Sequence, residues 1–414
     1  VFYVYIQRKF ELRPFFCRYE RAALMKTQKS LIISILRQLE RSFILSHVWT
    51  PDVKKYNLHL EWNDTSKEAY LYEKQPGNKV RCCLCPRRCV MAPGKTGFCK
   101  VRKNIGGKLF AQSYGKATHV TVERIETEAI HHYNPGGRIL SLGNFGCNLD
   151  CDYCQNWMYS QFEYSSPEHI YDYSSKQVID MAISDNVKML SWTYNDPAVW
   201  FEFVIDTARE SKKFGLKNLF KSAFFLTSEA VGELIKVIDV FAISIKAMDE
   251  EYYKKFTKGW LPPVLENTRQ VHRSGMHYEI SNLVVTGLTN NNDNYDKMIN
   301  FILDDLSPET AIHFTRFHPD YKYMDNAKTP LEDVMAARAR ARAAGIKYPY
   351  VGNAFDCDGL NTYCPSCGEL LIRRYGLNTY VKPAISDSGK CNKCGCQTPV
   401  IHIDQSGRQP EDID

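Results

Sequence analysis

No uninterrupted apolar run in these 414 residues approaches the roughly 18 needed to cross a bilayer, and the clearest short one is LIISIL from Leu31. The chain is therefore expected to have no membrane span. Charge of one sign is also scarce over most of its length. Residues 1–50 hold nine Lys or Arg against three Glu, which accounts for the whole formal excess of +6, while the remainder balances at 44 against 44. That balance argues against nucleic acid as a partner of the main body, because phosphate recognition needs a clustered basic surface. An initiating Met is missing too. Met25 offers a natural start, so residues 1–24 read as upstream read-through, a fragment end or a processed leader, and no function is assigned to them. They match the Arg-rich part of a transit-peptide composition and not the rest of it.

Cysteine, by contrast, is plentiful. Fifteen are present, and apart from Cys17 and Cys357 they fall into three groups: 82, 83, 85, 89 and 99; then 147, 151 and 154; then 364, 367, 391, 394 and 396. Disulfide frameworks belong mostly to short secreted chains, whereas pairs separated by two or three residues favour metal chelation in a reducing compartment. A cytoplasmic location is expected. An apolar fraction of 44% and a charged fraction of 24% are those of a globular protein, long enough for one large core and smaller modules.

From Arg138 onward strand-like and helix-like segments alternate. The strands are expected at 138–146, 187–193, 219–225, 240–246, 277–285 and 311–317. Between and after them helices are expected at 175–184, 197–213, 228–236, 263–273, 294–305 and 330–344. Six βα units in series imply a parallel sheet, which right-handed crossovers curl into a partial (βα)6 TIM-type barrel, an α/β fold. Four regions are expected: a basic, helical extension over 1–75, a Cys-rich metal-binding module over 76–130, the barrel over 131–355, and a zinc-ribbon-like module over 356–414. Ligands of parallel α/β sheets sit at the strand C-terminal ends. The stretch NFGCNLDCDYCQNW, from Asn144, occupies that place after the first barrel strand.

Cys147, Cys151 and Cys154 in that stretch have C-x3-C-x2-C spacing, and no His or fourth Cys stands near them. A zinc knuckle or a chance cluster is the plain reading, but zinc wants a fourth N or S ligand. A [4Fe–4S] cube takes one thiolate per iron, so three thiolates leave one iron open to an external ligand. The chain here resembles the radical S-adenosylmethionine superfamily, whose signature is this spacing on this loop with an aromatic residue, Tyr153, before the last cysteine. CLCPRRC, GKTGFCKVRKN, HHYNPGGRILSLGNFGCNLDCDYCQNW, TYNDP, IHFTRFHPDYK, YVGN and NTYCPSCGELLIRRYG are together similar to the radical enzyme of the AmmeMemoRadiSam system, related to pyruvate formate-lyase activating enzymes. The resemblance covers roughly residues 80 to 400. It implies a [4Fe–4S] cluster, S-adenosylmethionine as cofactor, reductive cleavage to a 5′-deoxyadenosyl radical, and hydrogen abstraction from a protein or small-molecule substrate. It also implies a one-electron reductant of the flavodoxin or ferredoxin kind.

The resemblance carries over residue by residue. Thr193, Asn195 and Asp196 lie in TYNDP, where relatives hold the cofactor's amino group; the usual form has Glu at 196, one methylene longer, and capping of the helix that opens at Pro197 is the other role open to Asp196. Lys246, in SIKAM, matches a Lys that contacts the cofactor's carboxylate or ribose, although Ser244 replaces an acid. After the third strand KSAF stands where relatives often read Thr-Asn-Gly-Tyr. Asn282 and His318 end the fifth and sixth strands, where polar cofactor contacts are expected; for His318 a solvated loop position and a part in proton transfer are both open.

Two cysteine groups flank the barrel. Cys364, Cys367, Cys391 and Cys394, each pair followed by Gly, form C-x2-C-x23-C-x2-C and read as a zinc ribbon, with a [4Fe–4S] cluster as the alternative. Cys82, Cys85, Cys89 and Cys99 are expected to bind a second zinc or an auxiliary iron–sulfur cluster, metal being needed to order so short a segment. Both modules are expected to bracket the barrel mouth. Two function classes follow: a radical-generating oxidoreductase, or a non-enzymatic iron–sulfur and zinc scaffold for electron transfer or nucleic-acid binding.

Overall fold

The computed structural model describes residues 66–161, 167–355 and 357–403. Most of the basic extension expected over 1–75 therefore lies outside the described residues. Among the described residues no helix is long and apolar enough to cross a membrane.

The centre is an eight-stranded sheet. In chain order its strands are β1 (His119–Arg124), β2 (Arg138–Gly143), β3 (Met189–Trp192), β4 (Lys217–Ser222), β5 (Val240–Ser244), β6 (His277–Val284), β7 (Ile312–Arg316) and β8 (Pro349–Gly352). Strands β2 to β8 are parallel neighbours in sequence order, and β1 pairs antiparallel with β2 at one edge. Six helices follow β2 to β7: α1 (Ser175–Ser184), α2 (Phe201–Ser211), α3 (Ser228–Ile235), α4 (Leu261–Ser274), α5 (Asn292–Asp305) and α6 (Leu331–Ala343). The partial barrel is thus the expected one with two additions. YVGN supplies a last parallel strand with no helix after it, and β1 covers the other edge.

Local chemistry accounts for the boundaries. Ser174 closes a capping box with Gln177 ahead of α1, Thr227 and Asn291 cap α3 and α5, and Gly215 and Gly275 end their helices at φ 74° and 73°. The buried residues of α1, Val178, Ile179 and Ala182, fall at the i, i+1, i+4 positions of one face, which turns toward the sheet. The strands run short of their expected C-terminal ends. After β3 Tyr194 takes φ 74°, and after β4 Phe224 takes φ 56°, so the chain leaves the sheet in a left-handed conformation that non-glycine residues seldom adopt. Such positions collect where a surrounding site holds them.

The N-terminal module consists of two three-stranded antiparallel sheets. It sits on the barrel at the strand C-terminal end. Thr227, just after β4, donates from its backbone to Leu84 O at 3.1 Å and from its hydroxyl to Cys83 O at 2.8 Å. Arg102, 1% exposed, makes two bonds to Glu202 of α2 at 2.8 and 2.9 Å.

The C-terminal module is where expectation needs correcting. It does not flank the barrel mouth but docks at the opposite end, on the loop between β1 and β2. Ile401 N donates to His132 O at 2.7 Å, Asn134 N to Ile401 O at 2.6 Å, and Arg374 to His131 O at 2.7 Å. The physical reason is the buried polar plug HHYN at the strand N-terminal ends, whose backbone groups need partners. Glu279 near the start of β6 accepts from the backbone of His131 and His132, and the module's Arg374 and Thr379 satisfy other groups there.

Candidate functional site

The loop after β2 carries Cys147, Cys151 and Cys154, and three asparagines outside the cysteine pattern fix its course. Asn195 donates to Asn144 Oδ1 at 2.6 Å and to Gly146 O at 2.7 Å, tying the end of β3 to the start of the loop. Asn148 donates to Phe225 O at 2.7 Å, and Asn156 donates to Tyr194 O. The backbone of Asp150 and Asp152 bonds to Thr257 and Phe256 at 3.0 and 2.9 Å. The loop is therefore held by the segments after β3, β4 and β5, and each thiol sits at a set place along it.

Burial raises all three thiols. Cys147 is held well above the ordinary range, Cys154 is raised, and Cys151 is pushed up to about 12 even though the Lys246 ammonium opposes the rise. Such thiols give up their protons to a cation and not to water. The spacing of the sulfurs fits several metal ions better than one. Among the described residues, only Cys364, Cys367, Cys391 and Cys394 bring three or more ligand atoms within 4.8 Å of one another. A cube spreads its thiolates because each goes to a different iron, whereas one tetrahedral ion draws them together.

The positions expected to hold the cofactor divide into two kinds. Lys246 lies just past β5, half-buried, with no carboxylate within ion-pair distance of its ammonium among the described residues. Asn282 is fully buried; its amide donates to Ile245 O at 2.9 Å, while its Oδ1 has no partner. A cationic head and an orphaned acceptor toward the C-terminal ends of two neighbouring strands fit an amino-acid ligand. Asp196 is already engaged. It caps the turn that begins at Pro197, with Oδ1 accepting from Ala198 N at 3.1 Å and Ser222 Oγ at 2.8 Å and Oδ2 accepting from Ala223 N at 2.9 Å. Oδ2 keeps one lone pair free. Burial raises its carboxyl, and those same donors oppose the rise.

The rest turn elsewhere. Thr193 donates to buried Glu128 at 2.9 Å, and Lys221 of KSAF bonds to the Glu128 backbone oxygen at 2.7 Å, so this part of the barrel interior is a closed polar cluster. Tyr153 is buried between the rings of Tyr252 and Tyr323 and packs the loop. His318 is exposed, with Nδ1 3.0 Å from Pro319 O, which is a surface-loop position. Sequence reasoning missed Asn144, Asn148, Asn156 and Glu128. The three asparagines could have been suspected from their density in one short loop, but Glu128 left no signal.

The C-terminal quartet is two copies of one turn. Cys364 N donates to Glu369 O and Gly368 N to Cys364 O; Cys391 N donates to Cys396 O and Gly395 N to Cys391 O. Gly368 and Gly395 share φ values of 73° and 75°, which glycine alone adopts at no cost. Sulfurs of opposite turns lie 3.5 Å apart for Cys364 and Cys394 and 3.7 Å for Cys367 and Cys391. A tetrahedron with Zn–S near 2.3 Å has edges of about 3.8 Å. Cys396 stands outside the set, in the place that Glu369 takes in the other turn.

The sequence model of the radical SAM superfamily matches residues 144–302. An uncharacterized protein of Methanocaldococcus jannaschii, MJ0808, is 38% identical over 337 residues, covering 81% of this chain and 99% of the relative. Among solved structures, a domain of pyruvate-formate lyase-activating enzyme from Bacteroides vulgatus aligns with a TM-score of 0.35 at 18% identity, over 39% of this chain and 98% of that one. A radical SAM methyltransferase from Sphaerobacter thermophilus aligns with a TM-score of 0.43 at 12% identity, over 57% and 71%.

Proposed function

The chain belongs to the radical SAM superfamily, and from that premise we propose that Cys147, Cys151 and Cys154 hold a site-differentiated [4Fe–4S] cluster and that Lys246, Asn282 and Asp196 receive S-adenosylmethionine beside it. When bound, the cluster and cofactor supply reductive cleavage to methionine and a 5′-deoxyadenosyl radical, which abstracts hydrogen from a substrate. The chain's own part is to bind and to orient. Asn195, Asn148 and Asn156 keep the three thiols at set positions along the loop. The Lys246 ammonium meets the cofactor's carboxylate, a charge-assisted contact that needs no prior partner to be displaced. The free lone pair of Asp196 Oδ2 accepts from the amino group, while Ser222 and Ala223 hold the carboxylate still.

One observation carries this reading: three half-buried thiols on the loop at the C-terminal end of the first parallel strand, spread too widely for one ion and, among the described residues, without a fourth ligand. An activating-enzyme-like action on a protein, or the same radical chemistry on a small molecule, is the proposed outcome, with a flavodoxin- or ferredoxin-class protein as electron donor. The C-terminal quartet is proposed to hold a structural zinc. The test is anaerobic reconstitution and reduction with S-adenosylmethionine present. The wild-type chain should form 5′-deoxyadenosine, and replacement of the three cysteines by Ala should abolish it in a chain that stays folded. Product formation by the triple variant would sink the reading.

A further inference from the structure

We propose that Cys82, Cys85, Cys89 and Cys99 hold a second [4Fe–4S] cluster, with one thiolate per iron, against the loop of Cys147. This site goes beyond the radical reading and stands without it. All four side chains line one small cavity of about 20 Å³ between the N-terminal module and the barrel, which Asn148 also lines. The fifth cysteine of the group is turned away: Cys83 Sγ lies 3.7 Å from Arg81 O. Four thiols out of five are thus selected for one cavity.

Two further observations concern what the cavity holds. The first is spacing. A single zinc would gather the sulfurs to edges of about 3.8 Å, as in the C-terminal quartet, but no three of these four bring their sulfurs within 4.8 Å of one another. They surround a space instead of converging on a point, and a cube, with its thiolates on separate irons, fills such a space. The second is charge. Arg102 lines the cavity, is 1% exposed, and has a buried Nε with no hydrogen-bond partner, although its other two nitrogens are engaged by Glu202. An unpaired buried donor is costly, and the sulfurs of an anionic cluster would satisfy it. Arg87 also lines the space. Its Nε donates to Asn148 O at 2.8 Å, and among the described residues no carboxylate pairs with it. Its guanidinium also donates to Lys258 O and lies over the Phe98 ring at 3.5 Å, within electrostatic reach of Cys85, Cys89, Cys99 and Cys147. The Arg87 cation, unpaired by any carboxylate among the described residues, and the free Nε–H of the Glu202-paired Arg102 suit a cluster of net negative charge.

The test counts metals in the full-length protein, purified and reconstituted without oxygen. The wild-type chain should carry about eight irons with matching sulfide and about one zinc. With Cys147, Cys151 and Cys154 all replaced by Ala, about four irons should remain with the Mössbauer signature of a [4Fe–4S] cluster. Adding Cys82→Ser and Cys99→Ser should remove them, and Cys83→Ala should leave the iron unchanged. About four irons and two zincs in the wild-type chain would overturn the proposal without reliance on any variant's folding. So would an iron-free triple-Ala chain, or loss of one cluster in Cys83→Ala. Formation of 5′-deoxyadenosine is a separate readout, so the two readings fail independently.

Discussion

The carbonyl oxygen of Cys99 lies so close to Gly146 that a Cβ on Gly146 would stand 2.8 Å from it, with Val101 Cγ1 at 2.9 Å. The N-terminal module therefore rests on the backbone of the residue before Cys147. Gly146 also has φ 80°, a region that L side chains rarely adopt.

Gly146→Ala should accordingly suffer twice, from backbone strain and from a clash with main-chain atoms that cannot swing away. A loss of about 1–3 kcal/mol is expected in unfolding, along with less iron retained at the triad. Thermal melts and iron analysis of the variant check this. Unchanged values for both would mean that the module is not seated on the loop.

Lys246→Ala and Asp196→Ala should behave differently. The Lys246 ammonium engages no carboxylate among the described residues, so its loss should leave the fold intact and weaken S-adenosylmethionine binding by about 1.5–3 kcal/mol, the range for hydrogen bonds to charged groups. Asp196 accepts from Ala198, Ser222 and Ala223, and its replacement strands those donors. A comparable loss of affinity is expected there together with a clear fall in melting temperature. Calorimetric titration of cluster-loaded protein measures the first effect. Unaltered binding in Lys246→Ala would assign the carboxylate contact to other residues.

The sequence made the barrel legible because each strand is a compact apolar run between turn signals, and its helices begin at Ser174, Thr227 and Asn291, caps recognisable by residue type. Cysteine spacing likewise revealed all three groups. Contacts between segments distant in the chain were not legible. Arg102 and Glu202 are a hundred positions apart, and neither residue type nor spacing announces the pair. Strand ends were overrun for a related reason: Phe224 and Phe225 extend the apolar run of β4, yet the chain has already left the sheet there to pack around the site. The C-terminal module was assigned to the wrong end of the barrel because its docking depends on the backbone of His131 and His132, which periodicity does not report.

Chelation of the C-terminal metal should unfold that module and spare the triad. The quartet is expected to hold about one zinc, and binding energy at such a site is folding energy. With the metal stripped, the strands at Thr362–Tyr363, Leu370–Tyr375 and Asn378–Val381 should lose amide protection, while the loop around Cys147, at the far end of the barrel, keeps its own. Hydrogen exchange with and without a chelator reads both at once. If Cys391→Ser with Cys394→Ser cost one whole iron–sulfur cluster and no zinc, the quartet would be a cluster site.

Acid should loosen the same docking surface through His132. Its Nε2 lies 2.7 Å from Tyr350 Oη, which in turn is 2.8 Å from Thr362 Oγ1 at the entry to the C-terminal module. Burial lowers His132 to about 3 from its ordinary 6.5, with Glu279 opposing and His277, Arg374 and His313 adding to the fall. Between these two values the unfolded chain holds a proton that the folded chain does not, so stability rises with pH through that window and is lost as pH falls below about 6.5. The slope is at most about 1.4 kcal/mol per pH unit for one such group. Glu279 acts in the same direction lower down: although burial raises it, His277 and His313 together hold it well below 4.5, and its contribution fades as acid approaches that lowered value. Melting temperatures taken from pH 8 to 4 should therefore fall more steeply below pH 6.5 in the wild-type chain than in His132→Gln, which cannot take up that proton. Zinc loss in acid affects both chains alike, so the difference between the two curves isolates His132, and parallel curves would show that its protonation does not govern the docking.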